Sequence, residues 1–202
     1  MINEGIRGHI ILLMAPTGSG KGVIVNYLKQ QFPELYFSIS CTTRKPRPGE
    51  VDGRDYFFLT RDAFDAKVAS GDFLEWAEFG GNKYGTLKSE VVDRLHEGKI
   101  ILNEIELQGI EALKSIIAAS NRTVVYIEAG GWEVLRARAE ARAPISEEEL
   151  ELRYQRYLEE KEAKAHADVV INNGDGMLID AQEHAARVVA GIIESMNVKN
   201  KA

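Results

Sequence analysis

The chain has 202 residues, of which 45% are hydrophobic and 28% charged, and its formal net charge at pH 7 is −6. This length and composition are typical of one globular domain with room for a small insertion, and the negative charge disfavours binding to nucleic acid or to an anionic membrane. The single cysteine, Cys41, excludes an intrachain disulfide. Because residues 1–5 lack the pattern of a signal peptide and no apolar run approaches roughly 18 residues, we expect a cytoplasmic protein.

Short apolar runs alternate with helical patterns along most of the chain. Apolar runs predict strands at residues 10–14, 36–39, 100–102, 123–127 and 169–171. Helical patterns occupy residues 23–31, 110–118, 132–142, 147–165 and 178–196. Because strands that alternate with helices form parallel sheets covered on both faces, we expect an α/β fold with a parallel five-stranded sheet flanked by helices.

Residues 40–97 interrupt this alternation. The segment 42–50 is basic and punctuated by proline, which predicts a loop. Beyond it, short strands are predicted at residues 55–59, 73–79 and 83–85, and helices at residues 61–69 and 87–95. We interpret this part of the chain as a small antiparallel subdomain that is inserted into the main fold and binds a substrate.

A glycine-rich segment follows the first predicted strand. It reads Ala15-Pro16-Thr17-Gly18-Ser19-Gly20-Lys21-Gly22 and leads into the helical pattern that starts at Val23. In a strand–loop–helix unit, glycines let backbone N–H groups face a phosphate, while the helix N-terminus and the lysine add positive charge. The template G-x-x-x-x-G-K-[ST] has glycine at the position of Ala15 and a magnesium-binding hydroxyl at the position of Gly22. Two alternatives follow: a variant nucleotide-binding loop, which we favour, and a structural glycine turn.

A long ordered motif follows the second predicted strand. It reads Ser40-Cys41-Thr42-Thr43-Arg44-Lys45-Pro46-Arg47-Pro48-Gly49-Glu50 and continues as Gly53-Arg54-Asp55-Tyr56-Phe57-Phe58. Together with the segments 73–77, 82–86 and 107–109, this motif resembles the guanylate kinase family of P-loop nucleoside-monophosphate kinases, over residues 9–195. The resemblance implies a P-loop kinase fold in a single domain. Its parts would be a core of residues 7–39, 98–136 and 166–198, a GMP-binding lobe of residues 40–97 and a helical lid of residues 137–165.

The resemblance also implies an activity, transfer of the terminal phosphoryl group of ATP to GMP or dGMP, with Mg²⁺ as the cofactor. Three basic side chains would be catalytic: Lys21, Arg142 and Arg153. The residues that would bind ATP are Ala15, Pro16, Thr17, Gly18, Ser19, Gly20, Lys21, Gly22, Val23, Arg138 and Asn172. The residues that would bind GMP are Ser40, Arg44, Arg47, Tyr56, Glu75, Tyr84, Thr86, Glu104 and Glu106.

The chemistry of these side chains agrees with the roles that the resemblance implies. The guanidinium groups of Arg44 and Arg47 can grip phosphate oxygens in two-point contacts, although a basic loop can also be merely solvated. The Glu75 carboxylate can accept both N1–H and the amino group of guanine, while the Thr86 hydroxyl can donate to O6. A site built on such hydrogen bonds can discriminate between bases by about 10⁴–10⁵.

Other assignments keep alternatives. Glu104 and Glu106 stand where the family usually carries aspartates, and either can instead be a helix N-terminal acid. Arginines 138, 142 and 153 lie among glutamates and can form solvated ion pairs. We assign no protein ligand to the metal and expect phosphates and water to hold Mg²⁺. We interpret Cys41 as a small packing residue.

Two further functions stay open beside the kinase. One is a catalytically impaired guanylate-kinase-like module that binds phosphorylated peptides, and the other is a kinase with an altered acceptor. As partners we expect the small molecules ATP and GMP, no nucleic acid and no membrane. The protein would be a monomer or a homo-oligomer.

Overall fold

The computed structural model describes residues 5–105, 107–141 and 145–199. Their contacts divide them into two compact units. Unit 1 contains residues 5–11 and 35–122, and unit 2 contains residues 12–34 and 123–199. In the part of the chain that the structure describes, no helix is long and apolar enough to cross a membrane.

The secondary structure follows the predicted alternation. In chain order the strands are β1 (His9–Met14), β2 (Tyr36–Phe37), β3 (Cys41–Thr42), β4 (Phe57–Phe58), β5 (Phe73–Phe79), β6 (Asn82–Leu87), β7 (Ile100–Glu104), β8 (Arg122–Glu128) and β9 (Val169–Asn172). The α-helices are α1 (Lys21–Gln31), α2 (Arg61–Ala69), α3 (Arg94–His96), α4 (Leu107–Ile116), α5 (Trp132–Glu140), α6 (Glu147–Glu162) and α7 (Leu178–Lys199). Shorter helical turns are the π-helical Ser89–Asp93 and the 3₁₀ segments Ala119–Asn121 and Ala163–His166.

The main sheet has the predicted architecture. Its five strands stand in the order β2-β7-β1-β8-β9. The pairings of β2 with β7 in unit 1 and of β8 with β9 in unit 2 are both parallel. All six residues of β1 are buried, as expected for a strand of a parallel sheet that is covered on both faces. The expected α/β fold with a parallel five-stranded sheet is therefore confirmed.

The small sheet of unit 1 differs from the prediction in one pairing. Its strand order is β4-β3-β6-β5, and β6 pairs antiparallel with both β3 and β5. Strand β3, however, pairs parallel with β4, with Cys41 opposite Phe57. A parallel pair needs a crossover of about a dozen residues or more, and the segment 43–56 supplies it. The prediction of an antiparallel subdomain is therefore confirmed for the pairings of β6 with β3 and β5 and wrong for the pairing of β3 with β4.

The motif cysteine lies in the core of the small sheet. Cys41 clusters with Phe64 and Phe73, whose rings stack with centroids 4.3 Å apart. Burial raises the pKa of the Cys41 thiol to about 11, so the thiol stays protonated at neutral pH and packs as a small apolar group. The position of Cys41 agrees with its interpretation as a packing residue.

Helix α6 of unit 2 begins where its sequence predicts. The hydroxyl of Ser146 accepts the N–H of Glu149 (3.2 Å), which caps the helix. Three glutamates occupy the first turn, where the positive end of the helix macrodipole favours negative charge. These local signals fix the start of the helix that carries Arg153.

Candidate active site

The phosphate loop of residues 15–22 connects β1 to α1 in unit 2. Its backbone turns sharply because Gly18 and Gly20 adopt φ angles of 90° and 85°, a region that residues with a Cβ rarely enter. Helix α1 begins at Lys21. The first N–H groups of a helix have no carbonyl partner within it, and they lie at the positive end of the macrodipole. Strand, glycine loop and helix therefore follow one another in the order that phosphate binding requires.

The two departures from the loop template lie in different surroundings. Ala15 is half-buried, whereas Gly22 is exposed. A Cβ built on Gly22 would meet no heavy atom of the described residues within 4 Å. The loop therefore has room for the serine or threonine of the template, and packing does not explain the missing hydroxyl.

Asn173 holds the phosphate loop, a function that the sequence did not reveal. Its side chain is buried, and its Nδ2 donates to the backbone carbonyl of Ser19 (2.6 Å). The same Nδ2 lies 2.6 Å from the place where a Cβ on Gly20 would stand, so a side chain at residue 20 would displace it. Asn172, the residue predicted to bind ATP, is exposed and accepts the N–H of Gly174 (2.9 Å). Asn173 thus contacts the loop, while the predicted binding of ATP by the exposed Asn172 stays a prediction.

Arg138 lies beside this asparagine. Its Nη2 donates to the backbone carbonyl of Asn173 (3.0 Å) and to Oδ1 of Asp175 (3.1 Å). Arg138 therefore lies against Asn173, which holds the phosphate loop. Its contact with Asp175 is an ion pair of the kind that the sequence also allowed as an alternative.

Glu160 is a second contact to the loop that sequence patterns missed. Its Oε2 accepts the backbone N–H of Thr17 (2.9 Å), and its Oε1 accepts the Thr17 hydroxyl (3.4 Å). The carboxylate is largely buried, with 13% of the side chain exposed, and Nη2 of Arg156 lies 3.7 Å from it. Through this carboxylate, α6 is attached to the third residue of the phosphate loop.

The predicted catalytic arginine of α6 has a partner on its own helix. Nε and Nη2 of Arg153 donate to Oε1 of Glu149 at 3.1 and 2.7 Å. Such an exposed i,i+4 pair stabilises a helix by only about 0.3–0.5 kcal/mol. Turning Arg153 away from Glu149 therefore costs little. Arg142 lies outside the described residues.

Unit 1 brings together three of the residues predicted to bind the acceptor. The guanidinium carbon of Arg44 lies 5.4 Å from the ring centroid of Tyr56. The rings of Tyr56 and Tyr84 meet edge to face, with centroids 6.4 Å apart. The side chain of Arg47 is exposed on the neighbouring loop. One cation and two phenol groups are thus clustered on the small sheet.

Glu50, the last residue of the first motif, organises this cluster. Pro48 and Gly49 fit the central positions of a type II turn, and the φ of Gly49 is 88°. The N–H of Glu50 donates to the carbonyl of Arg47 (3.0 Å) and closes the turn. The turn directs the Glu50 carboxylate back towards Arg44, whose Nη1 and Nη2 donate to its two oxygens, each at 2.9 Å. The backbone N–H of Arg47 donates to it as well (2.7 Å).

These contacts orient Arg44 for a second partner. Nη1 also donates to the carbonyl of Lys45 (2.7 Å), so three of the five guanidinium hydrogens are engaged within the described residues. The two remaining hydrogens, on Nε and Nη2, form the side-on fork that matches two oxygens of a phosphate. Glu50 therefore fixes the direction of Arg44 and leaves one of its donor forks for a ligand.

The predicted base-reading pair is also assembled. Glu75 on β5 stands directly opposite Thr86 on β6, and the Thr86 hydroxyl donates to Oε1 of Glu75 (2.7 Å). Thr86 is buried and Glu75 half-buried. A hydroxyl has a single hydrogen, so Thr86 must turn away from Glu75 before it can donate to a ligand.

Three further residues were predicted to bind the acceptor, Ser40, Glu104 and Glu106. Ser40 is half-buried, and its carbonyl accepts the N–H of Phe57 (2.9 Å), which attaches β4 to the segment before β3. Glu104 is the exposed last residue of β7. Glu106 lies outside the described residues.

The described residues contain no ready metal cage. Within residues 5–105, 107–141 and 145–199, no group of three or more His, Cys, Asp or Glu side chains is placed to hold a metal ion. Mg²⁺ is usually bound through phosphate oxygens and water with one or two carboxylates.

Comparison with known proteins identifies the family of this chain. The guanylate kinase family model matches residues 7–190. The chain belongs to the guanylate kinase family. Its sequence is 41% identical to a guanylate kinase of Trichormus variabilis over 168 residues, 83% of each chain. It is 38% identical to a guanylate kinase of Rubrobacter xylanophilus over 169 residues, 84% of this chain and 87% of the relative.

A solved structure of the guanylate kinase family has the same fold. The crystal structure of guanylate kinase from Anaplasma phagocytophilum superposes with a TM-score of 0.69 at 25% sequence identity. The match covers 94% of this chain and 86% of the other. The resemblance drawn from the motifs and the expected P-loop kinase fold are thereby confirmed.

Glu50 should stabilise unit 1 in a pH-dependent way. Hydrogen bonds from Arg44 and from the Arg47 N–H hold the pKa of the Glu50 carboxyl below its ordinary value of 4.5. Its stabilising effect is therefore complete above about pH 4.5 and is lost as the pH falls through the lowered pKa. We expect Glu50→Gln to lower the free energy of unfolding at pH 7 by about 1.5 kcal/mol, the low end for a bond to a charged group.

Chemical denaturation at pH 7 and at pH 3 measures this difference. The control is Glu78→Gln. Glu78 forms an ion pair with Arg61 in the same unit, and both side chains of this pair are about half exposed. The control should change stability by less than about 1 kcal/mol. A difference between wild type and Glu50→Gln that stayed constant down to pH 3 would contradict the expected role of the ionised carboxylate.

Glu160 should support the phosphate loop by accepting the Thr17 N–H. We expect Glu160→Ala to weaken the binding of a non-hydrolysable nucleoside triphosphate about tenfold, the loss of one hydrogen bond to a charged group. Glu160→Gln keeps an acceptor for the Thr17 N–H and should retain most of the affinity. Titration calorimetry measures both, with Glu159→Ala, an exposed neighbour, as the control. Tighter binding by Glu160→Ala would show instead that the carboxylate repels the nucleotide.

Proposed function

We propose that this member of the guanylate kinase family transfers the terminal phosphoryl group of ATP to GMP, giving ADP and GDP, and also accepts dGMP. The small sheet supplies the observation that supports GMP as the acceptor. Tyr84 and Thr86 stand two residues apart on β6, so they share one face of the sheet and lie about 7 Å apart along the strand. A phosphate-binding group and a base-reading group are thus displayed side by side.

The chemistry of the base-reading pair favours guanine over adenine. The Glu75 carboxylate only accepts hydrogen bonds, and guanine offers N1–H and an amino group along one edge. Adenine carries a ring nitrogen where guanine carries N1–H, and it would leave the carboxylate facing an acceptor. The buried hydroxyl of Thr86 can donate to O6 of guanine once it turns away from Glu75. An unpaired polar group in such a site lowers affinity for the wrong base strongly.

Phosphate groups on both nucleotides would be bound by backbone and guanidinium donors. On the acceptor, the free fork of Arg44 and the hydroxyls of Tyr56 and Tyr84 would hold the GMP phosphate, with Arg47. On the donor, the N–H groups of the phosphate loop and Lys21 would hold the terminal phosphates of ATP.

Phosphoryl transfer then needs positioning and charge neutralisation. Arg153, together with Arg142, would neutralise the charge that spreads over the transferring group. No general base is required, because the attacking oxygen of GMP belongs to a phosphate that is already ionised at neutral pH. Arg138 would act beside the donor nucleotide through its contact with Asn173.

The proposed cofactor is Mg²⁺. When bound, it would neutralise negative charge on the ATP phosphates, and phosphate oxygens and water would supply most of its ligands. We further propose that the protein acts in the cytoplasm on these small molecules, as a monomer or a homo-oligomer, without nucleic acid or membrane.

A coupled assay of ADP release tests the proposal directly. The protein is supplied with ATP, Mg²⁺ and in turn GMP, dGMP, AMP, CMP and UMP. We expect turnover with GMP, weaker turnover with dGMP and little with the others, because only guanine satisfies Glu75 and Thr86. A preference for AMP contradicts the guanine assignment. Binding of GMP without any turnover favours the alternative of an impaired binding module.

A variant of Lys21 distinguishes the binding of the donor from the binding of the acceptor. We expect Lys21→Ala to abolish turnover and to leave the affinity for GMP largely unchanged, because the lysine belongs to the phosphate loop and not to the small sheet. Steady-state kinetics and calorimetry with GMP measure the two effects. Lys29→Ala, two turns along the same helix and exposed, is the control. A collapse of GMP affinity in Lys21→Ala would show that this division is wrong.

A further inference from the structure

The motif segment of residues 107–109 belongs neither to the phosphate loop nor to the residues proposed to bind the acceptor. Gly109 lies in the first turn of α4, and its surroundings explain why a glycine stands there. A Cβ built on Gly109 would lie 2.9 Å from Oε2 of Glu75 and 2.9 Å from both Cγ1 and Cδ1 of Ile105. Real Cβ atoms essentially never come this close to other atoms. Any side chain at residue 109 would therefore force both Glu75 and Ile105 to shift.

Glu75 is the neighbour that yields more easily. Ile105 is only 5% exposed, and the close packing of an interior resists displacement. The Glu75 carboxylate is half-buried and ends a flexible side chain, and Thr86 bonds its Oε1. Thr86 contacts Oε1, and the missing side chain of Gly109 leaves the space that Oε2 occupies.

We propose that Gly109 is a positioning residue that sets the selectivity for guanine by leaving space for the carboxylate of Glu75. This inference rests on the proposed function of Glu75 as the reader of guanine. The N1–H and amino groups of guanine are parallel donors, and they require both carboxylate oxygens to be aligned at once. A methyl group at residue 109 pushes Oε2 aside and rotates the carboxylate, so that it meets one donor and misses the other.

The inference predicts a selective defect. Because Thr86 contacts Oε1 and is proposed to reach O6, Oε1 would meet the adjacent N1–H and Oε2 the amino group. Inosine monophosphate keeps N1–H and lacks the amino group, so it would lose no hydrogen bond when Oε2 is displaced. A rotated carboxylate therefore harms GMP more than inosine monophosphate. Since a hydrogen bond to a charged group is involved, the loss with GMP should be about tenfold or more.

The experiment compares Gly109→Ala with wild type. With ATP saturating, kcat/KM is measured for GMP and for inosine monophosphate, and the KM for ATP and the thermal midpoint are measured in parallel. We expect kcat/KM for GMP to fall about tenfold or more, mainly through KM, and the preference for GMP over inosine monophosphate to shrink. The KM for ATP should not change, whereas crowding of the buried Ile105 should lower the thermal midpoint.

Gly191→Ala is the matched control. Gly191 also lies within a helix, α7, and a Cβ there would meet no heavy atom of the described residues within 4 Å. This variant makes the same glycine-to-alanine change in a helix and should keep the kinetics of the wild type for both acceptors.

A double-mutant cycle identifies the side chain through which Gly109 acts. If the methyl group acts by displacing Glu75, then Gly109→Ala should cause no further loss in a Glu75→Ala background. The inference is overturned if Gly109→Ala leaves the ratio of kcat/KM for GMP and inosine monophosphate unchanged. It is also overturned if Gly109→Ala lowers kcat/KM for both acceptors by the same factor, whether residue 75 is Glu or Ala.

The same comparison separates this inference from the proposed function. Calorimetric titration of GMP and inosine monophosphate into wild type and Gly109→Ala gives the selectivity without turnover. A wild type that binds GMP selectively but does not phosphorylate it contradicts the proposed function and leaves the effect of Gly109→Ala measurable. A wild type that shows no preference for GMP in binding contradicts both.

Discussion

The alternation of side chains along β6 is the constraint on which the acceptor-binding part of the small sheet depends. Tyr84 and Thr86 share one face, and Gly85 between them belongs to the other, where an added Cβ would come within 2.9 Å of Phe73. One face is therefore packed and the opposite face carries the polar groups. Because Glu75 pairs directly with Thr86, a slip of one residue would turn the carboxylate to the packed face. The register of β5 and β6 thus fixes the contact between Glu75 and Thr86, the two residues proposed to read the base.

Acidic side chains organise the basic and N–H groups that are proposed to meet phosphates. This resolves the apparent conflict between a net charge of −6 and two anionic substrates, because attraction is local and depends on orientation. The acids act in two ways. Glu50 and Glu160 accept several hydrogen bonds each from loops and fix their shape. Glu149 only pairs on the surface with Arg153, and such a pair is weak enough to be exchanged for a ligand.

Local patterns predicted the helices and strands, because these depend on residues that are close in the chain. The long ordered motifs predicted which residues of the small sheet would lie together. The contacts that support the phosphate loop join residues far apart in sequence, such as Thr17 and Glu160, and no local pattern reports them. One signal for Asn173 was present in the sequence. Alternation from the buried Ile171 places residue 172 outward and residue 173 inward, so the pattern predicts a buried asparagine at residue 173.

The phosphate loop departs from its template where the structure imposes no restriction. A side chain at residue 22 would find open space among the described residues, so the glycine is a chemical difference and not a packing requirement. Without a hydroxyl at residue 22, the loop still carries the hydroxyls of Thr17 and Ser19, but its N–H groups, the positive end of α1 and Lys21 all recognise phosphate. The loop would therefore contribute to a bound metal ion chiefly through the phosphates that it orients.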